Sequence, residues 1–143
     1  MTSYETVYHE TLADLSKRIR RQPCPAKLVR SLAADLHVSL EFVIDTLGLP
    51  RRVVLRKIEK SKNLDPGQAE RVIGMQRLIG QVQAMIAESG DREKFDAGRW
   101  LGEWIDQPLP ALGGRRPAEY LGDGAGREWV SQLLRQIQAG VFA

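Results

Sequence analysis

The chain has one cysteine, Cys24, and only two histidines, His9 and His37. A single cysteine excludes an internal disulfide and fits a reducing compartment. Cys24 stands in Gln22-Pro-Cys-Pro25 with no histidine close by, so it reads as an inert thiol and not as a nucleophile. His9 and His37 lie far from each other and from Cys24, so metal-ligand spacing is missing and neither a metal nor another cofactor is expected. No nucleophile–base pair or paired acid stands out, so no catalytic residue is assigned and the chain is not read as an enzyme. No apolar run approaches the roughly 20 residues that a membrane-crossing helix needs. Met1 to Leu12 lacks the basic-then-apolar layout of a secretory signal, which leads to the expectation of a cytoplasmic protein without membrane contact. Also missing are the period-2 alternation of a half-buried strand and any internal repeat.

What is present describes an ordinary globular protein: 143 residues, 43% hydrophobic and 27% charged, enough for one domain or two small ones packed together. The net charge of +3 is too small to name a partner, but its distribution is uneven. Residues 1–60 carry 11 Lys/Arg against 7 Asp/Glu, whereas residues 61–143 carry 10 against 11. Between Arg51 and Lys62 there are six basic residues and one acid, Glu59, so the positive charge is local. Such a run is either a nucleic-acid patch or a solvated helix face.

Helical spacing runs through nearly the whole chain. Tyr8, Leu12, Leu15 and Ile19 predict a first helix, broken at Gln22-Pro-Cys-Pro25, and Leu28 to Leu36 a second ending near His37. Ser39 is a good N-cap for a short third helix with Phe42, Val43 and Leu47 inward, closed by Gly48. Another helix starts at Pro50 or Arg51. Asp65, Pro66 and Gln68 then form a capping-box start for a long helix reaching about Ser89, with Gly90 as its stop. Its apolar positions Val72, Met75, Ile79, Val82 and Ile86 are spaced 3, 4, 3, 4, which suits either a packed core helix or a self-association seam. Later helices are expected over about Arg92–Ile105 and Ala125–Ala139, the last with Val130, Leu133, Leu134 and Ile137 inward. Trp100, Trp104 and Trp129 are assigned to the core.

The run from Ser39 to Lys62 has the proportions of a helix-turn-helix: a short helix, a glycine turn and a second helix carrying positive charge. On a helical wheel Arg51, Val54, Leu55 and Ile58 fall on one side, and the three apolar members can face the core. Arg52, Arg56 and Lys60 line the opposite side, flanked by Val53 and Lys57. A cationic stripe on the helix after a turn suits a major groove, where arginine reads guanine and lysine neutralises phosphate. The candidate DNA-binding set is therefore Arg51, Arg52, Val53, Arg56, Lys57 and Lys60.

The stretch from Pro108 to Gly124 is irregular: PLPALGGRRPAEYLGDG. A Walker loop needs a lysine and a hydroxyl after its last glycine, and Gly113-Gly-Arg-Arg-Pro117 has neither. Gly122-Asp-Gly-Ala-Gly126 follows no strand, so a dinucleotide fingerprint is not supported. The stretch reads instead as a rigid surface shape, with Pro108 and Pro110 ending a helix, Gly113-Gly114 turning the chain and Pro117 opening a short helix through Tyr120.

Trp100-Leu101, then 108-PLPALGGRRPAEYL-121, a Gly/Asp turn, Val130 and Leu133-Leu134 on a helix, and the end 140-GVFA-143 together resemble the C-terminal domain of the Xre/ParS-type antitoxins. Over residues 26–89 the resemblance is looser. Val53 stands where that family usually has a threonine, while Arg56-Lys57 keeps its basic pair, and Leu64 to Arg71 resembles its helix start. The resemblance implies an Xre-like DNA-binding domain and a partner of the RES-domain class, toxins that degrade or use NAD. It implies steric inhibition through the C-terminal domain, with the chain end near the toxin's active-site entrance. The toxin-binding candidates are then Leu112, Gly113, Gly114, Arg115, Arg116 and Pro117 in the loop and Gly140, Val141, Phe142 and Ala143 at the tail. Arg115 or Arg116 can pair with a toxin carboxylate or mimic a nucleotide's charge partner, and Phe142 can act as an apolar plug. Leu112 and Pro117 can equally be packing residues, and the tail a frayed terminus.

The expectation is an all-α chain with an N-terminal helix-turn-helix domain over 1–64, a connecting or dimerisation helix over 65–90 and a small toxin-binding domain over 91–143. Its expected partners are a RES-domain toxin, operator DNA for autoregulation, and a second copy or a larger assembly with the toxin. Two other readings stay open: a helix-turn-helix regulator whose C-terminal domain only dimerises, and a small enzyme that binds a phosphate ester through Arg115 and Arg116.

Overall fold

The computed structural model describes residues 3–90 and 94–140. Among these the chain is all α-helical: α1 Ser3–His9, α2 Leu12–Arg21, α3 Lys27–Leu36, α4 Leu40–Thr46, α5 Arg51–Glu59, α6 Pro66–Ser89, α7 Ala97–Trp104 and α8 Gly124–Gln138, with 3-10 turns at Pro110–Leu112 and Pro117–Tyr120. The sole extended pairing among the described residues is an isolated bridge between Pro25 and Asn63, which ties the α2–α3 connection to the α5–α6 connection. Ala26 donates to Lys62 O at 2.9 Å and Leu64 donates to Cys24 O at 2.8 Å.

Local chemistry sets most helix ends. Ser39 Oγ accepts from Phe42 N at 3.0 Å and starts α4. Asp65 Oδ1 accepts from Gln68 N at 2.8 Å while Gln68 Oε1 accepts from Asp65 N at 3.0 Å, so the capping box that starts α6 is complete. Gly90, at φ 88°, closes that helix in the left-handed region. Two expectations change. The first helix is two, because Thr11 accepts from Asp14 N at 3.1 Å and starts a new one after His9. The helix expected from Arg92 begins at Ala97, where Asp96 accepts from Arg99 N at 3.0 Å. Phe95 is left outside it, at the surface.

The stripe on α6 faces inward. Val72, Met75, Ile79 and Val82 are buried against the chain's own helices, and α6 packs on α1, α2, α3, α7 and α8. The coiled-coil-like seam is thus used within one copy, because helices from both sides of the sequence close over it. One continuous cluster runs from Cys24 and Ala26 through Leu36, Ile44, Leu47 and Ile79 to Leu101, Leu121 and Leu134, so the three sequence segments share a core. Each such aliphatic side chain taken out of water contributes about 1.5–3 kcal/mol. Ile44, outside the expected inward face of α4, is among the fully buried residues, while Phe42 is half-buried.

α7 lies directly across the end of α3. A Cβ at Gly98 would collide with the carbonyl oxygen of Asp35, and one at Gly102 with that of Leu36. Spaced four apart, the two glycines form a flat strip that lets the backbones touch. At the same crossing His37 Nε2 meets Asp96 Oδ2 at 3.1 Å, and the Tyr4 hydroxyl donates to Asp35, joining α1, α3 and α7.

Candidate functional site

The first candidate surface is α4, the turn Leu47–Pro50 and α5. Leu47 and Leu49 are buried and pin the turn to the core, while Gly48 takes φ 65°. Arg71 of α6 reaches across to donate from Nη1 to Leu47 O at 2.9 Å and Gly48 O at 2.7 Å. A cation there satisfies carbonyls that the end of α4 leaves open and answers the negative end of its dipole. Asp45 in turn accepts from Arg51 Nη2 at 3.0 and 3.2 Å, fixing the start of α5.

α5 rests on the core through Val54, fully buried, and Ile58, half-buried. Leu55, expected to face inward, is 37% exposed instead, beside Val53 at 45%. The contact line is the narrow i, i+4 pair of Val54 and Ile58, and Leu55 lies about 100° around the helix from Val54. Of the six candidate residues, Arg52, Arg56 and Lys60 share the exposed face, their side chains have no ion pair or hydrogen bond among the described residues, and Val53 flanks them. Lys57 is different: half-buried, its Nζ donates to Gln68 Oε1 at 2.8 Å and straps α5 to the start of α6. Arg51 is held by Asp45. The free positive stripe is therefore narrower than the basic composition of the segment.

The second candidate surface is the loop between α7 and α8. Leu109 N–H donates to Arg115 O at 3.0 Å and Gly114 N–H to Leu109 O at 2.9 Å, so the loop closes on itself. Ala118 N–H, donating to Ile105 O at 2.8 Å, moors it to the end of α7. Gly113 and Gly114, at φ 65° and 86°, turn the chain with nothing within 4 Å of where a Cβ would stand. Leu112 and Pro117 are buried and act as packing anchors. Arg116 pairs with Asp106 while its N–H donates to Glu119 Oε2 at 2.8 Å. The Arg115 side chain is exposed and has no partner among the described residues. Gly140, exposed at φ 80°, follows α8, and Val141, Phe142 and Ala143 lie outside the described residues.

Two residues escaped the sequence reading. Arg127 of α8 is only 6% exposed, pairs with Glu70 of α6 and donates to Leu121 O at 3.2 Å. Its guanidinium fills the space that a side chain at Gly74 would occupy. A glycine in mid-helix opposite an arginine was the only signal, and it has meaning only once α6 and α8 are known to cross. Trp129, assigned to the core, is 42% exposed; the inward positions of α8 are taken by Val130, Leu133 and Leu134, and residue 129 falls outside that arc. Trp104 is buried and stacks on the half-buried Trp100, centroids 5.7 Å apart, as expected.

The described residues contain no group of His, Cys, Asp and Glu able to hold a metal. Burial pushes the Cys24 thiol up, with the Arg18 charge pulling the other way, which disfavours the thiolate that a nucleophile needs. The Tyr4 hydroxyl is likewise pushed up, first by burial and then by its hydrogen bond to Asp35. No helix among the described residues is long and apolar enough to cross a membrane.

Residues 92–140 match the family model described as the antitoxin Xre/MbcA/ParS C-terminal toxin-binding domain. The chain is also 38% identical over 141 residues to the Prs ADP-ribosylating antitoxin of Sphingobium sp. (strain YBL2), covering 99% of this chain and 88% of that relative. The likeness thus extends through the helices before the loop as well as those after it. On these grounds the chain belongs to the Xre/ParS-type antitoxins, and its work is that of the antitoxin in a toxin–antitoxin pair and not that of an enzyme.

Proposed function

We propose that this antitoxin neutralises a RES-domain, NAD-consuming toxin by obstructing its active-site cleft, and represses its own operon by placing α5 in the major groove of an operator. The observation that carries the first part is the loop 113–115, standing clear of the body on buried anchors within the segment that matches a toxin-binding domain. Gly113 and Gly114 allow close backbone approach, and Arg115 is free to meet a toxin carboxylate. The tail Gly140–Ala143 would add an apolar plug through Phe142. The relative's name carries the term ADP-ribosylating, and ADP-ribosyl transfer draws on NAD, which accords with a NAD-using toxin.

Support for the second part is the stripe of Arg52, Arg56 and Lys60, three cations one turn apart with no intrachain claim on them. Residues 1–64 then read DNA, 65–90 connect and 91–143 hold the toxin. Two copies would place two α5 helices on a palindromic operator. Since the α6 seam is buried within the chain, the copies would meet through another face or be bridged by toxin.

The test is co-expression of a tagged copy with the reading frame beside its gene, followed by size exclusion and mass measurement. The expected result is a stable complex with a RES-like polypeptide that depletes NAD and arrests growth when expressed alone. Deleting Val141–Ala143 is expected to weaken neutralisation and leave operator binding intact. A homodimer that binds its own promoter but captures no such polypeptide would overturn the RES assignment.

A further inference from the structure

Among the described residues after Gly90 two large aromatic side chains stand exposed, Phe95 at 36% and Trp129, the more exposed of the two. Trp129 is 42% exposed, and its ring meets that of Tyr120 edge-on, centroids 4.8 Å apart and planes at 73°. Tyr120 closes the 3-10 turn that begins at Pro117, directly after Arg115 and Arg116. That turn is held on both sides, by buried Pro117, Ala118 and Leu121, and by α8 itself, where a Cβ at Gly126 would collide with the Tyr120 carbonyl oxygen. The indole is thus exposed but braced on a rigid base.

Its place on α8 links the two candidate binding segments. Residues 129, 132 and 136 follow one another at spacings of three and four, so Trp129, Gln132 and Gln136 form one exposed stripe along α8, which Gly140 follows. Val130, Leu133 and Leu134 lie around the helix from that stripe, toward the core, and are buried.

We infer that Trp129, braced by Tyr120, is the aromatic anchor by which this antitoxin grips its toxin, filling an apolar pocket beside the toxin's active-site entrance. This rests on the reading that the chain neutralises a toxin by direct binding. The occupant follows from continuity: Trp129 lies inside the segment 92–140 that matches a toxin-binding domain. It stands between the loop that offers Arg115 and the helix end that launches the tail. A tryptophan with few rotamers, flanked on its helix by the exposed polar residues Glu128, Gln132 and Gln136, has the make-up of an interface hot spot with a polar rim.

The experiment measures toxin affinity for the full chain and for Trp129→Ala and Trp129→Phe, together with thermal melting and size-exclusion mass. Trp129→Ala is expected to bind the toxin at least tenfold more weakly, to release it faster and to melt within about 2 °C of the parent. Trp129→Phe is expected to keep most of the affinity, because a ring still enters the pocket. If the alanine variant loses helix content, Trp129→Gln repeats the measurement with a better-solvated side chain. Unchanged affinity in these variants, with the parent binding normally, would overturn the anchor and leave direct neutralisation standing. A variant that loses self-association but not toxin affinity would assign the face to a second copy and overturn it equally. Failure of the parent to bind any toxin would remove the underlying reading and the anchor with it.

Discussion

Arg51 and Arg52 are neighbours with different attachments. Arg51 is held by Asp45 at 3.0 Å, and Lys57, a turn and a half further on, is strapped to Gln68 at 2.8 Å, whereas Arg52 and Arg56 reach into solvent alone. Replacing Arg52 and Arg56 together with alanine is therefore expected to leave melting unchanged within about 0.5 kcal/mol per site. The same pair of changes should reduce operator affinity strongly and lower the steepness of its salt dependence by about one for each phosphate no longer neutralised. Titration of operator DNA at several salt concentrations checks both; retained affinity and slope would remove α5 as the reading helix. This division among the cations was only partly legible in the sequence. A wheel placed Arg52, Arg56 and Lys60 together because helical spacing is a local property. It could not see that Asp45 and Gln68 occupy Arg51 and Lys57, since those pairings depend on how α4 and α6 meet α5.

At the scale of the element, caps were the most legible feature. Ser39, Asp65 with Gln68, Gly48 and Gly90 act within one turn of where they stand, so their chemistry can be read without knowing the fold. Faces were less so. Leu55 and Trp129 turned outward although both sit on amphipathic helices, because the buried line of each helix is set by its neighbours' shape. Glycines show the same contrast. Gly102 has an ordinary helical backbone, yet a methyl group there would press on Leu36 O; Gly113 has open space around it, but φ 65°. Gly102→Ala is thus expected to cost about 1–3 kcal/mol or more by forcing α7 off α3. Gly113→Ala should cost only about 1 kcal/mol, from backbone strain in the left-handed region. Urea unfolding of both variants tests the order; equal losses would mean that α7 has room to move.

Over the whole molecule, α6 decides the behaviour. The stripe that could have paired two copies is covered by α1, α3, α7 and α8 of one copy, an outcome that a 3, 4, 3, 4 spacing alone does not distinguish from a seam. Because residues 24–134 contribute to one buried cluster, thermal or denaturant unfolding of the full chain is expected as a single cooperative transition. A fragment of residues 91–143 should not reach its own plateau of stability, since Leu101, Leu121 and Leu134 would be left without their counterpart. Coincident melts by far-UV ellipticity and tryptophan emission check the first statement, and the spectrum of the fragment checks the second. Two separated transitions would divide the molecule into independent halves.

Glu70 and Arg71 stand side by side on α6, one clasping Arg127 of α8 and the other the end of α4. Recombination at the boundary before α7 would sever that clasp and strip the apolar rows from beneath α7 and α8. A gene exchange that gives this antitoxin a new toxin partner must therefore bring α6 along. What travels between lineages as a unit is the long helix with both of its surfaces, so the segment 92–140 and the α4–α5 face are not free to be inherited separately.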